Sequence, residues 1–347
     1  MSLDFGIWDH FERRRNVHPN QQYEERIQLI VRAEELGFYG YHVAEHHFTP
    51  LDLTPSPIVF LAALAERTSR IRIGTMVLVL PLYNPARLIQ EICMVDQISN
   101  GRFMPSVGRG VRDVEHEWFG VDPHEVRERF EEVREILMSG ISAGKLSHNG
   151  KFFDYDDIPL DFGPMQDPLP WWYAGNLQFA ADHGMNALGP CTRESIEQYW
   201  NVWDERRDQG LSPYVDFEPK VGNNRHVLVA DTDEEALAIA DRAWNVLGDN
   251  FFATSVRNLD LNGGVTVERG KPGFTYGEPA AGPLGRGALV AGSAATVRDH
   301  LSRFLEGIGP RYNYLVVNFQ WGDLSHEESM RSLELFAEEV MPALRTG

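Results

Sequence analysis

The chain has 347 residues, 43% of them apolar, enough for one large α/β core or two smaller ones. Acidic side chains outnumber basic ones 51 to 32, a formal net charge of −19, which argues against a phosphate backbone or an anionic membrane as partner. No apolar run approaches the ~20 residues of a membrane-spanning helix, the opening MSLDFGIWDHFERRR lacks the layout of a signal peptide, and the two cysteines, Cys93 and Cys191, suggest no disulfide framework, so a reducing cytoplasm is the expected compartment.

The predicted elements alternate. Residues 3–9 read as a first strand. Ile27, Ile30, Val31 and Leu36 recur at helical spacing within 23–38, with Gly37 as the stop. A second strand follows at 39–47, then a buried helix at 56–69 with Pro57 in its first turn. Residues 71–81 form a third strand, almost wholly apolar as buried parallel strands are. Asn84-Pro85 opens a helix that Gly101 stops. Strand four and its loop cover 102–110, and a charged helix covers 122–140.

The alternation lapses over 144–170, a Pro- and Asp-rich excursion whose two extended runs around His148-Asn149-Gly150 suggest a hairpin. It resumes with strand five at 170–175, a short helix at 178–184, strand six at 185–190, a helix at 195–210, strand seven at 222–230, and a helix at 231–248 capped by Asp231. Residues 250–287 are Gly- and Pro-rich, too long for a plain connector, and are expected to be a lid or a mobile insertion. A helix at 293–309, strand eight at 312–320 and a last helix at 325–345 complete the pattern.

Eight strands alternating with helices predict an α/β fold, a single (β/α)8 TIM barrel over 1–347 with 144–170 and 250–287 as loop insertions. An open doubly wound sheet would want G-x-G-x-x-G after strand one, and FGIWDHFE does not supply it.

Such a barrel carries its site at the C-terminal ends of the strands. The polar residues there are Asp9 and His10; Glu45, His46 and His47; Thr75; Arg109; Asn176; and Asn318 and Gln320. Alternation puts His42, Ala44 and His46 on one face of strand two, toward the barrel mouth, and Val43, Glu45 and His47 on the other. Imidazoles exchange protons near neutral pH, and a carboxylate such as Glu45 can orient one. The plainer alternative is that these polar groups only satisfy loop backbone. No metal site is expected. A zinc helix wants H-E-x-x-H, whereas E-H-H here ends a strand with no third ligand group downstream.

The segments AEHHFTP (44–50), IGTMVLVLPLYNPARLIQEICMVDQISNGRF (73–103), GRGV (108–111), FGVDP (119–123) and SLELFAEEVMP (332–342) occur in the order seen in the bacterial luciferase-like family, which the chain resembles over essentially its whole length. The E-H-H-F form resembles the catalytic α-type chain. The resemblance implies a barrel that binds reduced FMN and uses O2 on an organic substrate. It implies His46 as the catalytic histidine, with Glu45 and His47 as its neighbours. It places Thr75, Met76 and Val77 behind the flavin ring, with a strained or cis peptide at Met76–Val77. Gly108, Arg109 and Gly110 fall by the flavin phosphate. Gly108 occupies the position where luciferases carry a reactive cysteine, so thiol chemistry is excluded there. Ala174, Gly175 and Asn176 begin the next phosphate segment, where backbone N–H groups could meet an anion. This YAGNLQFAADHG run is shorter than the family's and lacks its usual hydroxyls.

The activity so implied is oxygenation of a small apolar organic substrate by a flavin-dependent monooxygenase. No second nucleotide motif is present, so a separate reductase would supply the reduced flavin. A homodimer built from the early barrel helices is also implied. The alternative is F420-dependent hydride transfer, whose polyanionic cofactor tail the acidic balance disfavours. A metal-dependent barrel hydrolase and a non-catalytic flavin-binding subunit rank lower, and the retained Glu45-His46-His47 argues against the latter. Oxygen chemistry on a reduced flavin is lost to water, so a dry site is expected. Trp8, Phe48, Met76, Leu80, Tyr83 and Trp118 are the candidates for its walls.

Overall fold

The computed structural model describes residues 2–252 and 289–345. β1 (Asp4–Asp9) leads into α1 (Pro19–Glu35), β2 (Gly40–Val43) and α2 (Pro57–Ala65). β3 (Arg72–Thr75) and β4 (Leu78–Val79) precede α3 (Pro85–Ile98), and β5 (Phe103–Met104) and β6 (Ser106–Gly108) precede α4 (Asp113–Trp118) and α5 (Val126–Ala143). α1, α2 and α3 all open on a proline, whose missing N–H costs nothing in a first turn. A hairpin of β7 (Lys145–Asn149) and β8 (Asp154–Pro159) fills the predicted excursion.

The alternation then returns with β9 (Trp172–Ala174), α6 (Leu177–Asp182), β10 (Asn186–Leu188) and α7 (Arg193–Asp208). β11 (Val221–Ala230), α8 (Asp233–Phe252), β12 (Leu289–Ser293), α9 (Ala294–Ile308), β13 (Tyr314–Asn318) and α10 (His326–Leu335) follow.

Every strand pair among the described residues is parallel except β7 with β8. The main sheet runs β4-β6-β9-β10-β11-β13-β1-β2-β3-β5, with β12 paired to the second half of β11. This is a curled parallel sheet under helices. Its two outer ends are halves of interrupted strands. β3 and β4 are consecutive in the chain, as are β5 and β6, and β3 pairs with β5 as β4 pairs with β6.

Several boundaries differ from the sequence expectation. Strand three breaks at Met76–Val77, a cis peptide, and ends in a 3₁₀ turn at Leu80–Leu82. Strand four is interrupted at Pro105, which has no N–H to give a ladder. Strand two stops at Val43 instead of running to His47. β12 and α4 were not expected. Thr232, not Asp231, caps α8, its Oγ1 accepting from the Glu235 N–H at 3.2 Å, while Asp231 pairs with Arg331 at 2.6 Å. The expected insertion at 250–287 lies outside the described residues from 253 onward. No helix among the described residues is long and apolar enough to cross a membrane.

The core has three parts, one of them a cluster that includes Leu228, Ala240, Trp244, Leu289 and Trp321. Residues such as Ile7, Leu61, Ile73 and Ile89 belong to one continuous cluster that joins strands to helices, and Met76, Met104, Trp172, Leu188, Tyr314 and Val316 form a separate inner cluster. Tyr314 sits there because two glycines leave room. A Cβ at Gly6 would stand 2.0 Å from its hydroxyl oxygen, and one at Gly40 3.1 Å. His42 joins this interior, its Nε2 3.0 Å from the Tyr314 hydroxyl and its ring centroid 5.0 Å from that of Trp172. Burial lowers its pKa to about 3, so the ring is neutral. His42 is therefore an interior residue, not part of the mouth.

Candidate active site

The chain leaves β2 under tight control. The Ala44 N–H donates to the Asp9 carbonyl at 2.9 Å, and the Met76 N–H to the Val43 carbonyl at 2.7 Å. The following loop inserts Glu45 into the protein. Its Oε1 lies 3.0 Å from His47 Nε2, and its Oε2 accepts from the Val79 N–H at 3.1 Å and the Tyr83 hydroxyl at 2.8 Å. An ionised carboxylate only accepts, so His47 carries its hydrogen on Nε2. Glu45 thus ties the loop after β2 to β4. The His47 ring lies 4.5 Å from that of Phe119.

His46 has a different partner. Its Nδ1 lies 3.2 and 3.4 Å from the two oxygens of Glu115, and the same carboxylate accepts from the His47 N–H at 3.3 Å. Glu115 is 2% exposed and rides on α4. With Nδ1–H given to a carboxylate, His46 is left with Nε2 for chemistry. The His10 ring stands 5.7 Å from His46 and 4.3 Å from Trp8. Burial, then the charges of His46, His226 and Arg112, push the His10 pKa well below the histidine range, so His10 is neutral.

The remaining candidates divide. Asp9 is spent on structure, ion-paired with Arg26 at 2.7 Å and accepting from the Tyr41 hydroxyl at 2.9 Å and the Phe11 N–H at 2.7 Å. Thr75 is spent as well, its hydroxyl donating to the Ser106 carbonyl at 3.0 Å and accepting from the Ser106 N–H at 2.9 Å. Met76 and Val77 carry the cis peptide that the resemblance implied. At Gly108 a Cβ would meet Val77 Cγ2 at 2.4 Å, so no cysteine fits that position without displacing Val77. Gly110 turns the chain toward α4. Arg109 is exposed, and its positive charge works on the Tyr173 hydroxyl against the burial that raises that pKa, while its carbonyl holds His116 Nε2 at 2.8 Å.

At the end of β9, Ala174 and Gly175 are half-buried, but the Gly175 N–H donates to the Leu188 carbonyl at 2.9 Å. The expectation that Gly175 offers its N–H to an anion is corrected accordingly. Asn176 caps α6 by accepting from the Phe179 N–H at 2.9 Å.

The expected walls also need correction. Trp8 and Met76 join the inner cluster, but Leu80 lies in the larger core, Tyr83 serves Glu45, and Phe48 and Trp118 are exposed and stack edge-on at 5.6 Å. Four polar atoms at the ends of β1 and β13 are buried without a hydrogen-bond partner: Trp8 Nε1, His10 Nδ1, Asn318 Nδ2 and Gln320 Oε1. Orphaned donors and acceptors side by side on neighbouring strand ends fit a site that takes a polar ring. Among the described residues no cluster of three or more His, Cys, Asp or Glu is arranged to hold a metal ion.

Sequence reasoning missed Glu115. It lies 69 residues from His46 in a six-residue helix too short to show periodicity, and no local signal marks it.

A family model described as luciferase-like monooxygenase matches residues 3–311, and the chain belongs to that family of oxygen-incorporating oxidoreductases. It is 34% identical to an uncharacterized protein, y4wF, of Sinorhizobium fredii, over 98% of this chain and 96% of the relative. It is 29% identical to the oxygenase component of the flavin-dependent trigonelline monooxygenase of Acinetobacter baylyi, over 98% and 95%. The fold matches the oxygenating constituent of 3,6-diketocamphane monooxygenase from Pseudomonas putida, solved in complex with FMN, with a TM-score of 0.75 at 20% identity over 99% of each chain.

Proposed function

We propose that the chain is the oxygenase of a two-component system. It takes reduced FMN from a separate reductase and uses O2 to oxygenate a small apolar organic substrate. The observation that carries this reading is the His46–Glu115 pair, which leaves one imidazole nitrogen free beside orphaned polar groups at the C-terminal ends of the strands. The trigonelline relative, an oxygenase component, supports the separate reductase, and the FMN of the structural neighbour supports the cofactor. We further read the curled sheet as a closed (β/α)8 barrel over 1–347. The pairing of both halves of strand three with both halves of strand four supports closure. Exposed Val59 on α2 and Met94 and Ile98 on α3 support a homodimer through these helices.

The residues fit the cofactor. Met76 and Val77 would back its ring, with Val77 held in the space that the absent side chain of Gly108 leaves to it. Arg109 and the Tyr173 hydroxyl would hold the phosphate, bordered by Gly110, Ala174 and Asn176. Reduced FMN, when bound, supplies the electron pair that activates O2. The protein's own part is proton management and dryness. His46 Nε2 gives or takes the proton, and Glu115 holds Nδ1–H and stabilises the imidazolium. Glu45 and His47 fix the loop that carries His46. Neutral His10 avoids a second cation beside it, and Trp8 and Met76 exclude water.

The test is an anaerobic titration of the full chain with reduced FMN, reduced riboflavin and reduced F420, followed by admission of O2. Reduced FMN is expected to bind at least ~10-fold tighter than riboflavin, and Arg109→Ala to close that gap, because charge-assisted contacts to the phosphate are lost. A preference for F420 with no O2 uptake would move the protein to hydride transfer.

A further inference from the structure

A concavity opens at the face opposite the candidate active site, where the strands begin. It measures about 370 Å³, within the range of small-molecule sites, and is walled by Tyr39, Met104, Trp172 and Phe217 with Arg72 beside them. That end of a barrel ordinarily serves stability alone. Here two groups lack the partners that a purely structural role would provide.

The first is Arg72. Its Nε is buried without an acceptor, and no carboxylate pairs with it among the described residues. One terminal nitrogen donates to the Gln166 side-chain oxygen, which is neutral. Gln166 cannot turn to offer anything else, because its Nε2 is fixed by Asp96 at 2.7 Å and the Phe103 carbonyl at 2.8 Å. The neighbouring cation, Lys220, shows the contrast: it lies 5.4 Å over the Tyr39 ring and has its counterion, Asp4, at 2.8 Å. The second group is Trp172, 1% exposed, whose indole N–H has no acceptor. A guanidinium and an indole N–H are donors only. Unmet buried donors are unfavourable, and a molecule that brings acceptors would satisfy them.

We propose that this cavity binds a small flat monocarboxylate, its carboxylate on Arg72 and the Trp172 N–H and its ring between Tyr39 and Phe217. Planar guanidinium and carboxylate match as a bidentate pair. The rim carries three exposed carboxylates, Asp167, Asp216 and Glu218. They repel phosphates and other multiply charged anions, and they favour a ligand whose far end is neutral or positive.

The test is calorimetric titration of the full chain with benzoate, 4-(aminomethyl)benzoate, benzamide and inorganic phosphate, with and without saturating FMN. Benzoate and its aminomethyl derivative are expected to bind one per chain, benzamide and phosphate at least tenfold more weakly, and FMN to leave the binding in place. Arg72→Gln is expected to weaken benzoate at least tenfold. Phe217→Ala, at a half-buried wall 5.6 Å from the Trp203 ring, is expected to weaken it at least threefold in protein whose thermal unfolding confirms the fold. No saturable benzoate binding, unchanged affinity in either variant, or displacement by FMN overturns the proposal.

Discussion

Glu115→Gln tests the site most directly. The carboxylate is buried, so solvent screening does not discount it, and it meets two donors: His46 Nδ1–H at 3.2 and 3.4 Å and the His47 N–H at 3.3 Å. A hydrogen bond to a charged group contributes about 1.5–3 kcal/mol, and these long ones belong at the lower end. Gln has one oxygen, so it satisfies one donor well and turns an amide N–H₂ toward the other. The loss is therefore about 1.5 kcal/mol, close to tenfold in rate if the bond matters in the transition state. The expected result is kcat down about tenfold, with substrate KM and flavin Kd within about twofold of wild type. Glu115→Ala is less informative, since it also leaves a cavity and two unmet donors and lowers stability. The assay is single-turnover oxygenation with preloaded reduced FMN, alongside thermal unfolding. A Gln variant at the wild-type rate, or one that lowers the melting temperature without touching kcat, would refute the role given to Glu115.

Three further outcomes follow from the geometry. His46→Ala is expected to lower turnover by about 10²–10⁴, the range for a lost general acid–base, with flavin affinity nearly intact by titration; unchanged turnover removes His46 from its role. Gly108→Ala should cost about 1–3 kcal/mol in urea unfolding, because its Cβ meets Val77 at 2.4 Å, and Val77→Ala should recover most of that in the double mutant. Glu12 governs a pH dependence. Burial raises its carboxyl from 4.5 to about 7, against the opposing bonds from Asn250 Nδ2 at 2.9 Å and the Gly322 N–H at 3.1 Å. The folded state then holds a proton that the unfolded chain releases, so this stability is complete below pH 4.5 and lost as pH rises through 7. The difference of about 2.5 units amounts to roughly 3 kcal/mol, and Glu12→Gln should flatten the stability profile between pH 5 and 8.

The alternation of strands and helices was legible because burial under helices makes near-continuous apolar runs, as at 71–81, and because Pro57 and Pro85 mark helix starts; the first helix begins at Pro19, ahead of the expected 23–38, because its first turn carries no apolar periodicity. The breaks within those runs were not. Apolar content is the same on both sides of Met76–Val77, so periodicity carries no trace of the interruption. β12 has five residues and pairs only with the far half of β11, leaving too little pattern to separate it from its glycine-rich approach. The residues around His46 could be picked out by residue type and strand-end position. What each touches could not. Glu45 was expected to serve a histidine, and it does serve His47, yet its other oxygen belongs to Val79 and Tyr83. The carboxylate on His46 comes from α4, and only the folded chain brings it there. Thr75 and Gly175 show the converse: both stand at strand ends, and both have spent their donors on neighbouring strands.

The seat of Tyr314 has a consequence for how this chain can vary. Its hydroxyl fills space that exists only because positions 6 and 40 lack side chains, and that same hydroxyl partners His42. Alanine at position 6 is barred while tyrosine remains. Removing the tyrosine first strands a buried imidazole. The four positions thus form a lock that no single substitution opens without loss, and change there is confined to an order in which His42 yields before Tyr314, and Tyr314 before Gly6.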